Sequence, residues 1–368
     1  MTTSTSIRPT DLGELRDAVL DTAGPLAVTG AGTAAGWAGA LGPVSTTLDT
    51  TGLSGVVVHN PGDMTVAVRA GTPLRALQDE LAGHGQHVCF DAARVTDGAT
   101  VGGLVATADA GPSALVFGSL RDLVIGITVV LADGSVARSG GHVIKNVAGY
   151  DLAKLMHGSY GAFGVLAEVV LRLHPVPKGS ATIAVPCPLD DAATLAARVL
   201  GGPYEPAALE WVDDEGGTLL VRLDGTRDAL PARVERLREL LGSAASQTGA
   251  DAWERHAAAV RGPAGSAVLR IGTRPSLLPG VLGGLPARAV AAGLGTGVAT
   301  VALPPEAVAD AHAVVHAAGG TSVLRARPAG AAPPAWGPPP SALAVLTALK
   351  TELDPEGRFG PGRFAPWM

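Results

Sequence analysis

Three glycine-rich loops carry the clearest chemical potential in this chain: Gly30-Ala31-Gly32-Thr33, Thr100-Val101-Gly102-Gly103, and Gly158-Ser159-Tyr160-Gly161-Ala162-Phe163-Gly164-Val165. Successive backbone N–H groups in such a turn form a concave nest that binds phosphate without a lysine, and glycine lets a ligand approach the main chain closely. The Thr33 hydroxyl adds a donor. A single Gly-x-Gly is more readily a tight surface turn. Three such loops within residues 29–165 point instead to backbone pressed against one long ligand, and a dinucleotide such as FAD has that length.

The first loop also mimics another dinucleotide motif. Gly30 to Ala35 fits G-x-G-x-x-G/A, and Asp49 stands about 20 residues on, where a ribose-binding acid is expected. That motif must open a helix. Here Gly36, Gly39, Gly42 and Pro43 fall in the required window, and glycine costs about 1 kcal/mol and proline about 3 kcal/mol in a helix interior. No stable crossover helix fits there, which counts against the Rossmann reading.

Other chemistry is sparse. Two cysteines, Cys89 and Cys187, make neither a disulfide framework nor a four-ligand cluster. His312 and His316 stand four apart on an expected helix, either a metal pair or a solvated helix face. With no acidic or third histidine neighbour the solvated face is preferred, and no metal is expected. His142 and His157 are the nearest bases to the loops, or structural histidines. The 27 basic and 33 acidic residues give a net charge of −6 with no Lys/Arg block, which excludes a nucleic-acid binder. The apolar stretch 123–132 falls short of the roughly 20 residues a membrane helix needs. The start of the chain shows no secretory apolar region, so a cytoplasmic chain without a transmembrane segment is expected.

The positioning elements read as alternating helices and strands. Leu12, Leu15 and Val19 mark a helix capped by Thr10. A strand at 25–28 leads into the first loop, and strands at 56–59 and 64–70 flank the turn Asn60-Pro61-Gly62-Asp63. Thr72-Pro73 starts a helix with Leu74, Leu77 and Leu81 on one stripe. A hairpin follows from the strand 123–131 through Asp133-Gly134 to Val136, with Arg121-Asp122 read as an ion pair before it. A short helix at 151–156 capped by Asp151 and a strand at 165–173 complete the block. His174-Pro175-Val176-Pro177 then breaks the pattern. Beyond it an alanine-rich region carries helices near 190–200 and 229–241 and strands near 219–223, 267–271 and 297–303. A Pro/Ala/Gly stretch precedes a last helix at 342–353. The class is α+β.

The ordered motifs Thr29-Gly30-Ala31-Gly32-Thr33, Ala99-Thr100-Val101-Gly102-Gly103, Lys145-Asn146-Val147-Ala148-Gly149-Tyr150-Asp151-Leu152 and 158–165 resemble flavoproteins with a vanillyl-alcohol-oxidase-type (PCMH-type) FAD domain. The Lys145–Leu152 run and the ending Leu349-Lys350, Asp354-Pro355-Glu356-Gly357 and Gly360-Pro361-Gly362-Arg363 are most similar to glycolate oxidase FAD-binding subunits. The resemblance covers residues 7–177 and 342–368. It implies a two-lobed PCMH-type FAD-binding domain at 1–177, with lobes of about 7–90 and 91–177. A smaller α+β cap follows at 178–328, then a Pro-rich linker at 329–341 and a C-terminal helix and tail returning to the FAD domain at 342–368. It places the backbone of Thr29, Gly30, Ala31, Gly32 and Thr33 on the pyrophosphate. Thr100, Val101, Gly102 and Gly103 come against the cofactor from the second lobe, and Gly164 and Val165 contact the adenine or flavin side. Asp91 and Gly111 occupy flanking loops. The first loop has no histidine between residues 29 and 42, so the FAD is expected to be non-covalent, with Cys89 the one alternative attachment point.

Oxidation of an α-hydroxy acid needs a base, a cation for the carboxylate and a flavin to accept the hydride. Lys145 is the cation candidate, or a lysine holding loop carbonyls. Tyr150 covers the ring or packs in the core. The resemblance implies an FAD-dependent oxidoreductase acting as a subunit of a glycolate-type 2-hydroxy-acid oxidase. Its substrate would be a small 2-hydroxy acid such as glycolate or D-lactate, and its partners a larger flavoprotein subunit and an iron–sulfur subunit. Those partners would make it peripheral to a membrane. A self-sufficient dehydrogenase or oxidase of a small hydroxy acid or polyol, and an assembly module with structural FAD, remain the rival readings.

Overall fold

The computed structural model describes residues 5–143, 151–213 and 216–368. The chain divides into one unit of Met1–Gly111, Phe117–Val176 and Pro339–Met368 and a second of Pro112–Val116 and Pro177–Pro338.

The first unit holds two principal sheets. Strands β1 (Thr5–Ile7), β2 (Leu26–Thr29) and β3 (Thr46–Asp49) form a parallel sheet in the order β1-β3-β2. Helix α1 (Leu12–Asp21) packs Leu15, Ala18 and Val19 beside it. Its cap lies one residue later than expected. Asp11 accepts from Glu14 N at 2.8 Å, while Thr10 donates through N and Oγ1 to the Glu14 carboxylate.

The second sheet is antiparallel, in the order β4-β5-β9-β7-β8, from β4 (Val56–Asn60), β5 (Thr65–Arg69), β7 (Val124–Val130), β8 (Val136–Gly140) and β9 (Val165–Arg172). A short pair, β6 (Gln86–His87) with β10 (His174–Pro175), stands apart. Because β5 pairs along β9, a hundred residues away, the two sheets part between β3 and β4 rather than near residue 90.

Helices α2 (Leu74–Ala82) and α3 (Val101–Ala106) share a core with this sheet through Leu74, Leu77, Leu81, Leu104 and Val105. Thr72 does not cap α2: its hydroxyl donates to Arg69 O at 2.7 Å and accepts from Gly55 N at 2.9 Å, stitching the preceding turn. Asp122 is no ion-pair partner of Arg121. It accepts from Ser119 N at 2.9 Å and closes a capping box. Asp151 does not cap either; Leu152 holds that position, and Asp151 lies 3.6 Å from Lys154.

After the helix Leu343–Leu353, the tail lies along β2. Leu26 N donates to Arg358 O at 2.8 Å and Gly360 N to Leu26 O at 3.0 Å, and Phe359 between them is fully buried with Leu15, Leu26 and Val165.

The second unit is an eight-stranded antiparallel sheet of β11 (Gly179–Pro186), β12 (Ala208–Asp213), β13 (Thr218–Gly225), β14 (Ser246–Thr248), β15 (Ala267–Gly272), β16 (Ala289–Gly293), β17 (Val298–Leu303) and β18 (Thr321–Ala326). The order is β14-β11-β13-β12-β16-β17-β15-β18. Inward residues such as Ile183, Leu209, Leu269 and Val301 alternate along the strands and bury the apolar stripes of helices Leu189–Leu200, Leu230–Leu241 and Val308–Ala317. Helix Asp251–Arg261 packs Ala252 and Ala259 against Val212, Leu220 and Ala291.

His312 is a correction to the solvated-face reading. It is 3% exposed, with Nδ1 2.6 Å from Ser322 Oγ and Nε2 3.1 Å from Pro334 O. His316 alone is exposed. A carbonyl only accepts, so Nε2 carries the proton and Nδ1 accepts from the serine. The proline-rich stretch is tied to this sheet where Leu324 N donates to Ala335 O at 2.8 Å. Among the described residues no helix is long and apolar enough to cross a membrane, and no group of three or more His, Cys, Asp or Glu side chains is placed to hold a metal.

Candidate functional site

The three glycine loops line one cleft. Its walls are residues 27–35 after β2, Thr100, Gly102, Gly103, Ala106 and Thr107 around α3, and Ser159, Tyr160, Gly161 and Gly164 before β9. Each loop is placed by an element whose apolar face is buried, so the sheets fix where the glycines stand. The cleft measures about 280 Å³, near the lower bound of about 300 Å³ for ligand pockets. That volume suits the slender diphosphate stretch of a dinucleotide rather than a whole one.

Glycine is demanded at particular points. A Cβ on Gly30 would lie 2.3 Å from Thr100 Oγ1, so the first loop touches the start of α3 and admits no side chain there. A Cβ on Gly102 would lie 2.8 Å from Ala70 Cβ, which sets α3 down on the turn after β5. Gly32 has φ +73° with open space around its Cβ position: backbone geometry, not crowding, selects glycine there.

Arg94 is the chief polar side chain of the cleft wall. It is 6% exposed. Nε and Nη2 each reach Asp109 Oδ2 at 3.0 Å, Nη2 donates to Thr107 Oγ1 at 2.9 Å, and Nη1 donates to Thr33 Oγ1 at 2.9 Å. The guanidinium carbon lies 3.8 Å from the centroid of the Trp37 ring. Asp109 is itself 3% exposed and accepts from Ala110 N at 3.0 Å. One planar cation thus ties the first loop, through Thr33 and Trp37, to the segment following α3. The second guanidinium in the cleft is that of Arg363, from the tail.

Of the residues expected on sequence grounds, Thr29, Gly30, Ala31, Gly32, Thr33, Thr100, Gly102, Gly103 and Gly164 line the cleft. Val101 and Val165 are buried in the cores behind it. Asp91 and Gly111 touch each other, a Cβ on Gly111 falling 2.5 Å from Asp91 O, but they are not among the lining residues. Lys145 and Tyr150 lie outside the described residues. Cys89 is buried, its Sγ 3.2 Å from His87 Nε2, and stands away from the cleft wall. His142 Nδ1 lies 2.8 Å from Thr65 Oγ1, likewise off the wall.

Arg94, Thr107, Trp37 and Arg363 were not assigned from sequence. A signal existed for the first: Arg94 is the only Lys or Arg between Arg75 and Arg121, and a lone cation in an apolar region that folds must find a partner.

Residues 4–140 match the family described as an FAD binding domain. That stretch, nearly all of it inside the first unit, is an FAD-binding domain. The cleft fits that cofactor. Its walls are backbone, small side chains and hydroxyls with two guanidiniums, and no carboxylate stands among the described lining residues to oppose a diphosphate.

The chain is 36% identical over 196 residues to the glycolate oxidase subunit GlcE of Escherichia coli, covering 53% of this chain and 54% of that one. It is 39% identical over 133 residues to the glycolate oxidase subunit GlcD of Bacillus subtilis, covering 36% and 28%. With a D-lactate dehydrogenase of Archaeoglobus fulgidus it shares 34% over 159 residues, 43% and 35% of the two chains. The chain therefore spans about half the length, or less, of these relatives. A solved structure of alkyldihydroxyacetonephosphate synthase superposes with a TM-score of 0.68 over 97% of this chain and 76% of that one, at 15% identity, which speaks for the fold alone.

Proposed function

We propose that this chain is the FAD-binding subunit of a glycolate-type 2-hydroxy-acid oxidase, holding the flavin non-covalently and passing electrons within a multi-subunit, cytoplasmic complex. The observation that carries the reading is the convergence of three separated glycine loops on one cleft. When bound, FAD supplies the hydride and electron acceptor.

The chain's own residues do the rest. The loop backbones at 29–33 and 100–103 hold the diphosphate through their N–H groups, and Gly30 and Gly102 let the loop and α3 close on their neighbours around it. Arg363 supplies positive charge at the wall, while Arg94, its charge balanced by Asp109, holds the Thr33 hydroxyl in place. Lys145, in the run that resembles glycolate oxidase subunits, is the cation for the reduced flavin or the substrate carboxylate, and Tyr150 covers the ring. Non-covalent attachment follows from the lack of histidine at 29–42. The relatives named as glycolate oxidase subunits support a subunit role, and those named D-lactate dehydrogenases support a small 2-hydroxy acid as substrate. With two cysteines the chain cannot hold a four-ligand iron–sulfur cluster, so such a cluster belongs to a partner in this reading.

The test begins with colour. The purified protein should be yellow, and acid precipitation should release free flavin; a colourless protein that takes up no FAD ends the reading. Anaerobic mixing with glycolate or D-lactate comes next. Bleaching that requires co-purified partner subunits supports the subunit role, bleaching by substrate alone replaces it with a self-sufficient dehydrogenase, and no bleaching with or without partners leaves a structural flavin.

A further inference from the structure

The C-terminal tail reaches the cofactor loop, and one side chain does most of the joining. Arg363 Nη1 donates to the carbonyls of Ala35 and Trp37 at 3.0 Å each and of Gly39 at 3.2 Å. The main chains close the same contact: Gly39 N donates to Arg363 O at 3.0 Å and Gly42 N to Pro361 O at 2.8 Å. The approach is so tight that a Cβ on Gly39 would fall 2.1 Å from Gly362 O. Gly39, one of the glycines that forbid a helix after the first loop, is therefore the one whose missing side chain admits the tail.

The tail is anchored independently at its start. Lys350 Nζ pairs with Asp354 Oδ2 at 2.5 Å and donates to Ala162 O at 2.7 Å, in the third loop, and to Phe359 O at 2.9 Å. Asp354, 2% exposed, accepts from Arg358 N at 2.9 Å and Phe359 N at 2.7 Å. Phe364 packs on Tyr160 and Phe163, each ring centroid 6.0 Å away. One segment thus touches both the first and the third loops.

We infer that Arg363 is a positioning residue for FAD, and that docking of the tail and binding of FAD are thermodynamically coupled. A loop that receives a diphosphate through its N–H groups must turn its carbonyl oxygens away, because their partial negative charge repels anionic oxygens. Arg363 gathers three carbonyls of the segment just after Thr33 onto one cation, which orients those peptide planes and brings positive charge to the cleft wall. A ligand that binds only the docked arrangement must stabilise the docked tail in return. The inference rests on FAD binding by the first unit and goes beyond it in assigning the tail a part in the site.

The experiment uses the full chain stripped of flavin and titrated with FAD by flavin fluorescence. Arg363→Gln should weaken FAD binding at least tenfold, with Arg363→Lys, which keeps the charge but not the planar fork, losing less. The wild-type chain supplies a readout that a merely structural arginine does not move: cleavage by trypsin after Arg363 should slow at least fivefold when FAD is added. Binding by Arg363→Gln within twofold of wild type overturns the inference. Should that variant fail to fold, the wild-type proteolysis decides alone, and equal cleavage rates with and without FAD overturn it. A wild-type chain that takes up no FAD would instead sink the function proposed above.

Discussion

Replacing Arg94 by Met tests whether the first glycine loop is held by a buried ion pair. The substitution keeps the length and apolar bulk of the side chain and removes the cation. Asp109, 3% exposed, then loses both its 3.0 Å contacts to the guanidinium, while its bond from Ala110 N at 3.0 Å stays. Stranding one member of a buried pair costs about 3–5 kcal/mol, a large share of the roughly 5–15 kcal/mol that holds a typical domain. Thr33 and Thr107 each lose a 2.9 Å bond and Trp37 its stacked guanidinium, so the loop loosens as well. Urea unfolding of the flavin-free chain, followed through the transition of the first unit, should show a loss in that range. Arg94→Met combined with Asp109→Leu removes both charges and should recover stability to within about 1 kcal/mol of wild type. FAD affinity should stay weak in the double variant, because Thr33 still lacks its donor. A single-variant loss below about 1 kcal/mol, the value of an exposed pair, would refute the reasoning; so would a double variant no more stable than the single.

Three further outcomes follow from the same contacts. Gly30→Ala forces a methyl to 2.3 Å from Thr100 Oγ1 and should weaken FAD binding at least tenfold by fluorescence titration. Gly62→Ala, with nothing within 4 Å and an ordinary φ, should leave affinity unchanged. Lys350→Met removes the cation from the buried Asp354 carboxylate, which keeps its bonds from Arg358 N and Phe359 N, and cuts the bonds to Ala162 O and Phe359 O; thermal unfolding should reveal a cost of about 3 kcal/mol. Burial pushes the pKa of His312 down, against a smaller upward pull from its bond to Pro334 O. The folded chain therefore binds that proton less readily than the unfolded one. Its stabilising contribution is complete above the unfolded value of about 6.5 and is lost as pH falls from there through the folded pKa. The melting temperature of the second unit should drop on acidification over that range, and His312→Gln should flatten the slope.

Much of the local structure was legible because it is driven locally. The stripe Leu74, Leu77 and Leu81 is the buried face of α2, and Asp133-Gly134 turns between β7 and β8. The failures lie one residue or one partner away. Thr10 and Thr72 look like caps, but Asp11 and Pro73 hold those positions, since the choice among adjacent polar residues depends on which carbonyl or amide the turn brings near. His312 sits on a helix of weak amphipathic pattern, and only the strand and proline segment packed over it decide that it is buried. The strands β11, β12, β16 and β18 went unread because helices pack on both faces of this sheet, so apolar residues stand on the inward and outward sides alike and the polar–apolar contrast of a half-solvated strand is lost.

By itself the sequence determined the backbone requirements of this protein: where glycine must stand, that no crossover helix follows the first loop, and that a dinucleotide is the ligand of fitting length. Those are properties of single residues and their immediate neighbours. Only the tertiary structure decided which side chains serve those loops. Arg94 meets Thr33 across 61 residues and Arg363 meets Ala35 across 328. Pairings at such separation are set by sheets closing on one another, a consequence of burying apolar faces across the whole unit that no local pattern encodes.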